Sequence, residues 1–107
     1  YDDDAASNSN RVSASDLELE VTRFYLGSTG NYYYAEGTVK NSSSSTVSYV
    51  KVKCVFTDSS GNVIDTNWTY AVGSEGLEPG ESKKWEMMVS YDRKIDKCRA
   101  TILDFNS

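Results

Sequence analysis

The sequence predicts an all-β fold, an antiparallel sandwich of about six to seven strands without a convincing helix. Apolar and polar side chains alternate along residues 17–22 and again along residues 48–57, which is the period of a strand with one buried face. Polar turn signals separate such runs, among them the segment 58–62 and the Leu-Glu-Pro-Gly-Glu corner at 77–81. Short strands at this close spacing are typical of two packed sheets.

The first two strands are predicted over residues 17–26 and 32–40. The Gly-Ser-Thr-Gly-Asn segment at 27–31 forms the turn between them, and Asn with four serines at 41–45 forms the loop that follows. Gly37 lies inside the second strand, where a glycine indicates a bulge or a closely approaching neighbouring backbone.

The remaining strands are predicted over residues 46–57, 63–72, 82–91 and 97–105. The Asp-Ser-Ser-Gly-Asn segment at 58–62 is typical of a hairpin turn. Pro79 followed by Gly80 suits the second and third positions of a type II turn. In the fifth strand, alternate residues from Trp85 onward are predicted to face the core.

Residues 1–16 are predicted to form a flexible acidic leader, and residues 17–107 the folded domain. The leader contains Asp2, Asp3, Asp4, Asp16 and Arg11 for a net charge of −3, so the domain carries −2 of the total −5. A nearly neutral domain does not suit nucleic acid, because phosphate groups require a cationic face. Basic residues occur in three groups, namely Lys51 with Lys53, Lys83 with Lys84, and the segment from Arg93 to Arg99. They could form a local basic patch, but the preferred interpretation is that they are ordinary solvated charges.

Cys54 and Cys98 are the two cysteines of the chain, and both are predicted to point inward because each shares a strand face with apolar residues. A disulfide between them is one prediction, since it would close a loop of about 45 residues and contribute roughly 4 kcal/mol. The alternative is two separate buried thiols that pack as small apolar groups.

Three segments resemble the FxLYD-type domains, which are small immunoglobulin-like domains of bacterial extracellular proteins and lipoproteins. Gly-Thr-Val-Lys-Asn at 37–41 resembles their G-x-V-x-N signature, residues 50–64 their central hairpin, and residues 77–81 their L-x-P-G-E corner. The resemblance covers about residues 17–105. The chain departs from the Phe-x-Leu-Tyr-Asp motif that gives the family its name: it has Cys-Val-Phe-Thr-Asp at 54–58, in which only the Asp is identical. The resemblance implies an immunoglobulin-like sandwich and brings no catalytic residues.

The leader resembles the polar tether that follows the lipidated cysteine of bacterial lipoproteins. We therefore expect an extracellular domain anchored at the cell surface, with a lipid anchor upstream of Tyr1. No run of 18 apolar residues is present, so no transmembrane segment is predicted. The expected state is a monomer.

The chain has no histidine, which removes the commonest general base and the usual zinc ligands. No catalytic residue, metal site or cofactor is predicted, and we do not expect an enzyme. The sequence favours a non-catalytic binding or structural domain whose partner is a protein or a glycan of the cell envelope.

Aromatic residues on predicted strands suggest an alternative function as a carbohydrate-binding module. A coplanar row of exposed rings could stack on sugars, while cross-strand contacts or a role in capping the core would explain the same residues structurally. Trp68 and Tyr70 are predicted to share one face of their strand. The candidate stacking residues are Tyr32, Tyr34, Tyr49, Trp68 and Tyr70.

Overall fold

The computed structural model describes residues 12–107. A 3-10 helix at Ala14–Asp16 precedes six strands, and the all-β prediction is confirmed. The strands are β1 (Leu17–Leu26), β2 (Tyr32–Asn41), β3 (Ser48–Thr57), β4 (Val63–Val72), β5 (Ser82–Ser90) and β6 (Lys97–Asn106).

The predicted start of the third strand at residue 46 is the largest difference from the observed strand ends. Val47 does not join β3 because its N–H and carbonyl both pair with Leu77, in an isolated bridge outside the two sheets. The loop before β3 is therefore longer than alternation alone indicates.

The strands form two three-stranded antiparallel sheets, with the orders β1-β2-β5 and β4-β3-β6. This arrangement follows the immunoglobulin pattern: β1, β2 and β5 take the places of strands A, B and E, and β3 and β6 those of C and F. β4 pairs with β3 on the side where strand C′ lies in variable-type domains. The chain crosses between the sheets after β2, β4 and β5.

The inner faces of both sheets form one hydrophobic core, as the alternation predicts. Val52, Cys54 and Phe56 of β3 are fully buried, and Trp85 of β5 is 4% exposed. Because the intervening residues point outward, each sheet also presents an outer face to solvent, and the candidate site lies on one of these outer faces.

Gly37 allows Trp85 to pack across β2. Gly37 pairs directly with Val21 of β1 and Trp85 of β5, and the β1–β2 register shifts between Val21 and Arg23. A methyl group on Gly37 would collide with the carbonyl oxygen of Glu20 and with the indole ring of Trp85. Of the two alternatives predicted for Gly37, the close approach of a neighbouring backbone is observed at Gly37 itself, and the irregularity in the ladder lies in β1, where Thr22 is the extra residue.

Asn41 joins two segments that cross between the sheets. Its side-chain amide donates to the carbonyls of Ser45 and Leu77, both at 2.8 Å, and its Oδ1 accepts from the N–H and the hydroxyl of Ser43. Its backbone carbonyl also accepts from Gly80. The side chain is fully buried with all of these bonds made, which fixes the loop after β2 against the corner before β5.

Residues 1–11 of the predicted leader lie outside the described residues. The rest of the leader contacts the domain: Val12 is half-buried against the core, and the Ser13 N–H donates to the carboxylate of Asp16 at 3.0 Å. Within residues 12–107, no helix is long and apolar enough to cross a membrane.

We predict that Gly37→Ala destabilises the protein by at least about 2 kcal/mol, since the backbone and the indole that the new methyl group meets have little room to move. Gly73→Ala is the control, because its methyl group would meet only the end of the Glu75 side chain, whose exposed bonds contribute little, and it should change stability by less than about 1 kcal/mol. Urea denaturation measures both. Equal stability of the two variants would contradict the role given to Gly37.

Candidate binding surface

The structure brings together three of the five candidate stacking residues and separates the other two. Tyr49, Trp68 and Tyr70 lie on the outer face of the β4-β3-β6 sheet, each with 45–51% of its surface exposed. Tyr32 and Tyr34 lie on β2, in the opposite sheet. A single row of five rings is therefore absent.

The three rings meet edge to face. The Trp68 and Tyr70 ring centroids are 5.6 Å apart at an interplanar angle of 87°, and those of Tyr49 and Tyr70 are 6.1 Å apart at 76°. The expectation of a coplanar row is thus wrong for these residues. Aromatic rings attract one another in this orientation because the positive edge of one ring faces the negative face of the next.

Alternation along β4 places Trp68 and Tyr70 outward. Ala71, one residue beyond Tyr70, is buried, and Asn67 turns toward the other sheet, where its amide donates to the carbonyl of Met88 at 2.7 Å. The Oδ1 of Asn67 also accepts from the backbone N–H of Trp68 at 2.8 Å. One side chain thus links β4 to β5 and fixes the backbone that carries the exposed indole.

Lys51 lies over two of the rings. Its Nζ is 4.4 Å from the Trp68 ring centroid and 5.2 Å from that of Tyr70, within the range of cation–π attraction. The register explains the contact, because Lys51 is directly opposite Tyr70 in the β3–β4 pair. The sequence indicated only a solvated lysine, although the register of the predicted hairpin could have revealed this neighbour. We call Tyr49, Lys51, Trp68 and Tyr70 the aromatic surface.

Tyr49 reaches this surface through an uncommon backbone conformation. Its φ of 49° makes it the one non-glycine residue with positive φ within residues 12–107. Its N–H donates to the carbonyl of Gly73 at 3.1 Å, and the ladder is irregular between Ser48 and Lys51. A left-handed conformation costs a non-glycine residue about 1–2 kcal/mol, which the surrounding contacts must offset.

Tyr34 has a structural environment. Its ring stacks on Tyr25 at 5.4 Å and 19°, and the guanidinium of Arg23 lies 3.8 Å from the Tyr25 ring centroid. The Tyr25 hydroxyl donates to Glu36 at 2.9 Å, and this bond is the main reason that the pKa of Tyr25 is raised. Tyr32, at the start of β2, is 41% exposed. Tyr34 therefore belongs to a cross-strand ladder. This agrees with the structural alternative to sugar stacking that the sequence analysis gave for these aromatic residues.

Both cysteines are free thiols. They lie on neighbouring strands but are not directly opposite each other, since Cys54 pairs with Ala100 and Cys98 with Phe56. Such diagonal neighbours have Cα atoms about 7–8 Å apart, beyond the usual span of a disulfide. Cys54 is fully buried, and this burial raises its pKa to about 12.

Two carboxyl groups, those of Asp58 and Glu75, have shifted pKa values, and hydrogen bonds to each favour its ionised form. Hydrogen bonds from Asn62 are the main cause that lowers the pKa of Asp58, and these bonds close the predicted hairpin turn. The Glu75 carboxylate bonds to Lys83 at 2.7 Å, and its pKa falls to about 2. In the part of the chain that the structure describes, no group of three potential metal ligands comes together.

We predict that glycine is preferred to alanine at position 49. Alanine keeps the Cβ atom that makes positive φ unfavourable, so Tyr49→Gly should be more stable than Tyr49→Ala by about 1 kcal/mol. At an ordinary strand position, the alanine variant is more stable than the glycine variant. Urea denaturation of the two variants measures the difference, and a more stable alanine variant would show that position 49 is not strained.

We also predict that the native protein reacts slowly with thiol reagents at pH 8. The thiolate is the reactive form, and burial raises the pKa of both thiols. Alkylation followed by mass spectrometry should label two thiols rapidly in denaturant and none rapidly in buffer. A mass two hydrogens lower in the unreduced protein would instead show that the predicted disulfide forms.

Comparison of the chain with protein-family models, with curated proteins and with solved structures finds no match.

Proposed function

We propose that this chain is a non-catalytic extracellular domain of a bacterial secreted protein or lipoprotein, tethered at the cell surface, and that it binds an envelope partner through the aromatic surface. The observation that carries the proposal is the cluster of Tyr49, Trp68 and Tyr70, three half-exposed rings on one sheet face. Aromatic side chains are enriched where proteins bind their partners, because they bury much apolar area with little loss of rotamer entropy.

The aromatic surface is built on paired strands, which supports a role in recognition. β3 is the central strand of its sheet and pairs with β4 and β6 along its length. Lys51 contacts the Trp68 ring, and this cation–π attraction favours one arrangement of the two side chains before a partner arrives. A preorganised surface binds more tightly because less side-chain freedom is lost on association.

The cell-surface location is supported by the sequence. The resemblance of residues 37–41 and 77–81 to FxLYD-type domains and the acidic, Ser-rich leader at 1–16 both favour an extracellular bacterial domain.

A carbohydrate-binding module is the second candidate, and the half-exposed indole of Trp68 favours it. The perpendicular rings do not offer a flat platform to several successive sugars. A glycan on this surface would contact each ring separately and would need polar groups beside the rings, such as the ammonium of Lys51.

We predict that the protein sediments with bacterial cell-envelope fractions through the aromatic surface. Trp68→Ala and Tyr70→Ala should each weaken this binding at least 10-fold, because each removes a central exposed ring. Tyr32→Ala is the matched control, since it removes a comparably exposed ring from the opposite sheet and should change binding less than 2-fold.

The binding isotherm of labelled protein to washed envelopes measures these effects, with circular dichroism to verify that each variant folds. An equal loss in all three variants would show that the aromatic surface is not the binding site. Wild-type protein that does not sediment with any envelope fraction would contradict the proposed function as a whole.

A further inference from the structure

We propose that the outer face of the β4-β3-β6 sheet binds an anionic polysaccharide, a sugar chain that carries carboxylate groups. This inference rests on the proposed function and names the chemistry of the partner. The proposed binding site includes the aromatic surface and the outward-facing residues of β6, the strand that pairs with β3 on the side opposite β4.

Positive charge is concentrated on this sheet face. The outward positions of β3 and β6 carry Lys51, Lys53, Lys97 and Arg99. Asp104 is the acidic residue on the same face, and its Oδ1 accepts from the N–H of Phe105 at 2.9 Å. The face therefore has a net charge of +3, while residues 12–107 together have −3 and the remainder of these residues consequently −6. Such segregation directs a polyanion to one side of the molecule.

None of these cations forms an ion pair within residues 12–107, although Asp104 is directly opposite Lys51 in the β3–β6 pair. The ion pair found there joins Lys83 of β5 to Glu75 in the loop after β4. Lys51 instead lies over Trp68 and Tyr70, which favours one position of its ammonium group while leaving its donors available to an anion. A cation that is already ordered loses little conformational freedom when it binds.

The face has two parallel stripes that match an acidic sugar chain. Trp68 and Tyr70 on β4 form the aromatic stripe, and Lys51 and Lys53 on β3 lie directly opposite them. Neighbouring strands are about 4.8 Å apart, and residues two apart on a strand are about 7 Å apart. A sugar ring against an aromatic side chain can thus direct a carboxylate from its edge toward the adjacent lysine.

Two features favour a polysaccharide over a single-stranded nucleic acid. Successive bases stack on the open faces of aromatic rings, whereas the rings here meet edge to face. The charge of −6 on the remainder of residues 12–107 also repels a densely charged phosphate backbone. A uronic-acid polymer has a lower charge density and offers C–H groups that contact rings singly.

Binding of the full chain to polygalacturonate tests the inference, with methyl-esterified polygalacturonate as the uncharged form of the same backbone. We expect binding to the acidic polymer only, with affinity falling roughly 20-fold between 50 and 200 mM salt for three ionic contacts. The triple variant Lys51→Gln, Lys53→Gln, Arg99→Gln should bind at least 10-fold more weakly.

The matched control is Arg23→Gln, Lys40→Gln, Lys84→Gln, which removes the same charge from the outer face of the opposite sheet and should bind within 2-fold of the wild type. Equal loss in both triple variants, equal binding of the esterified polymer, tighter binding of oligo(dT), or no binding at 50 mM salt would each overturn the inference. Envelope binding that depends on Trp68 but not on these cations would leave the proposed function standing and refute only the polyanion.

Discussion

The buried side chain of Asn41 is the constraint on which the arrangement of the two sheets depends. Its amide and carbonyl make four hydrogen bonds, to Ser43, Ser45 and Leu77, and so connect the loop after β2 with the corner before β5. Both segments carry the chain from one sheet to the other. A buried polar network of this kind favours one arrangement, because any slip leaves a donor or acceptor without a partner. The same corner bonds to Val47, directly before β3 and the residues of the aromatic surface.

Most of the fold could be predicted from the sequence because it depends on local signals. The alternation along β3, the turn at 58–62 and the corner at 77–81 each specify a conformation from neighbouring residues. The motifs that resemble FxLYD-type domains have a structural explanation here: Gly37 makes room for Trp85, and Asn41 bonds to Leu77 and Gly80. These motifs are explained by the packing of the two sheets, and membership of the family stays a prediction.

The candidate site was less predictable because it depends on register and backbone detail. The sequence indicated that Trp68 and Tyr70 share a face, but the ring angles and the position of Lys51 follow from the pairing of β3 with β4. Tyr49 joins them only through a positive φ that no local pattern indicated. The grouping of Arg99 with Lys51 and Lys53 likewise requires the non-local pairing of β3 with β6, which explains why these residues looked like ordinary solvated charge.

The manner of binding follows from where the rings lie. β4 is an edge strand, and an exposed apolar edge invites another strand to pair with it. Here the side chains of Asp65 and Asn67 accept from the N–H groups of Thr66 and Trp68, at 2.8 Å each, so those donors are engaged. An incoming strand would have to break these bonds, whereas a ligand lying on the outer face meets Trp68 and Lys51 without disturbing them. The β4 edge therefore resists strand addition, so a partner that approaches β4 is favoured to contact the side chains on the sheet face.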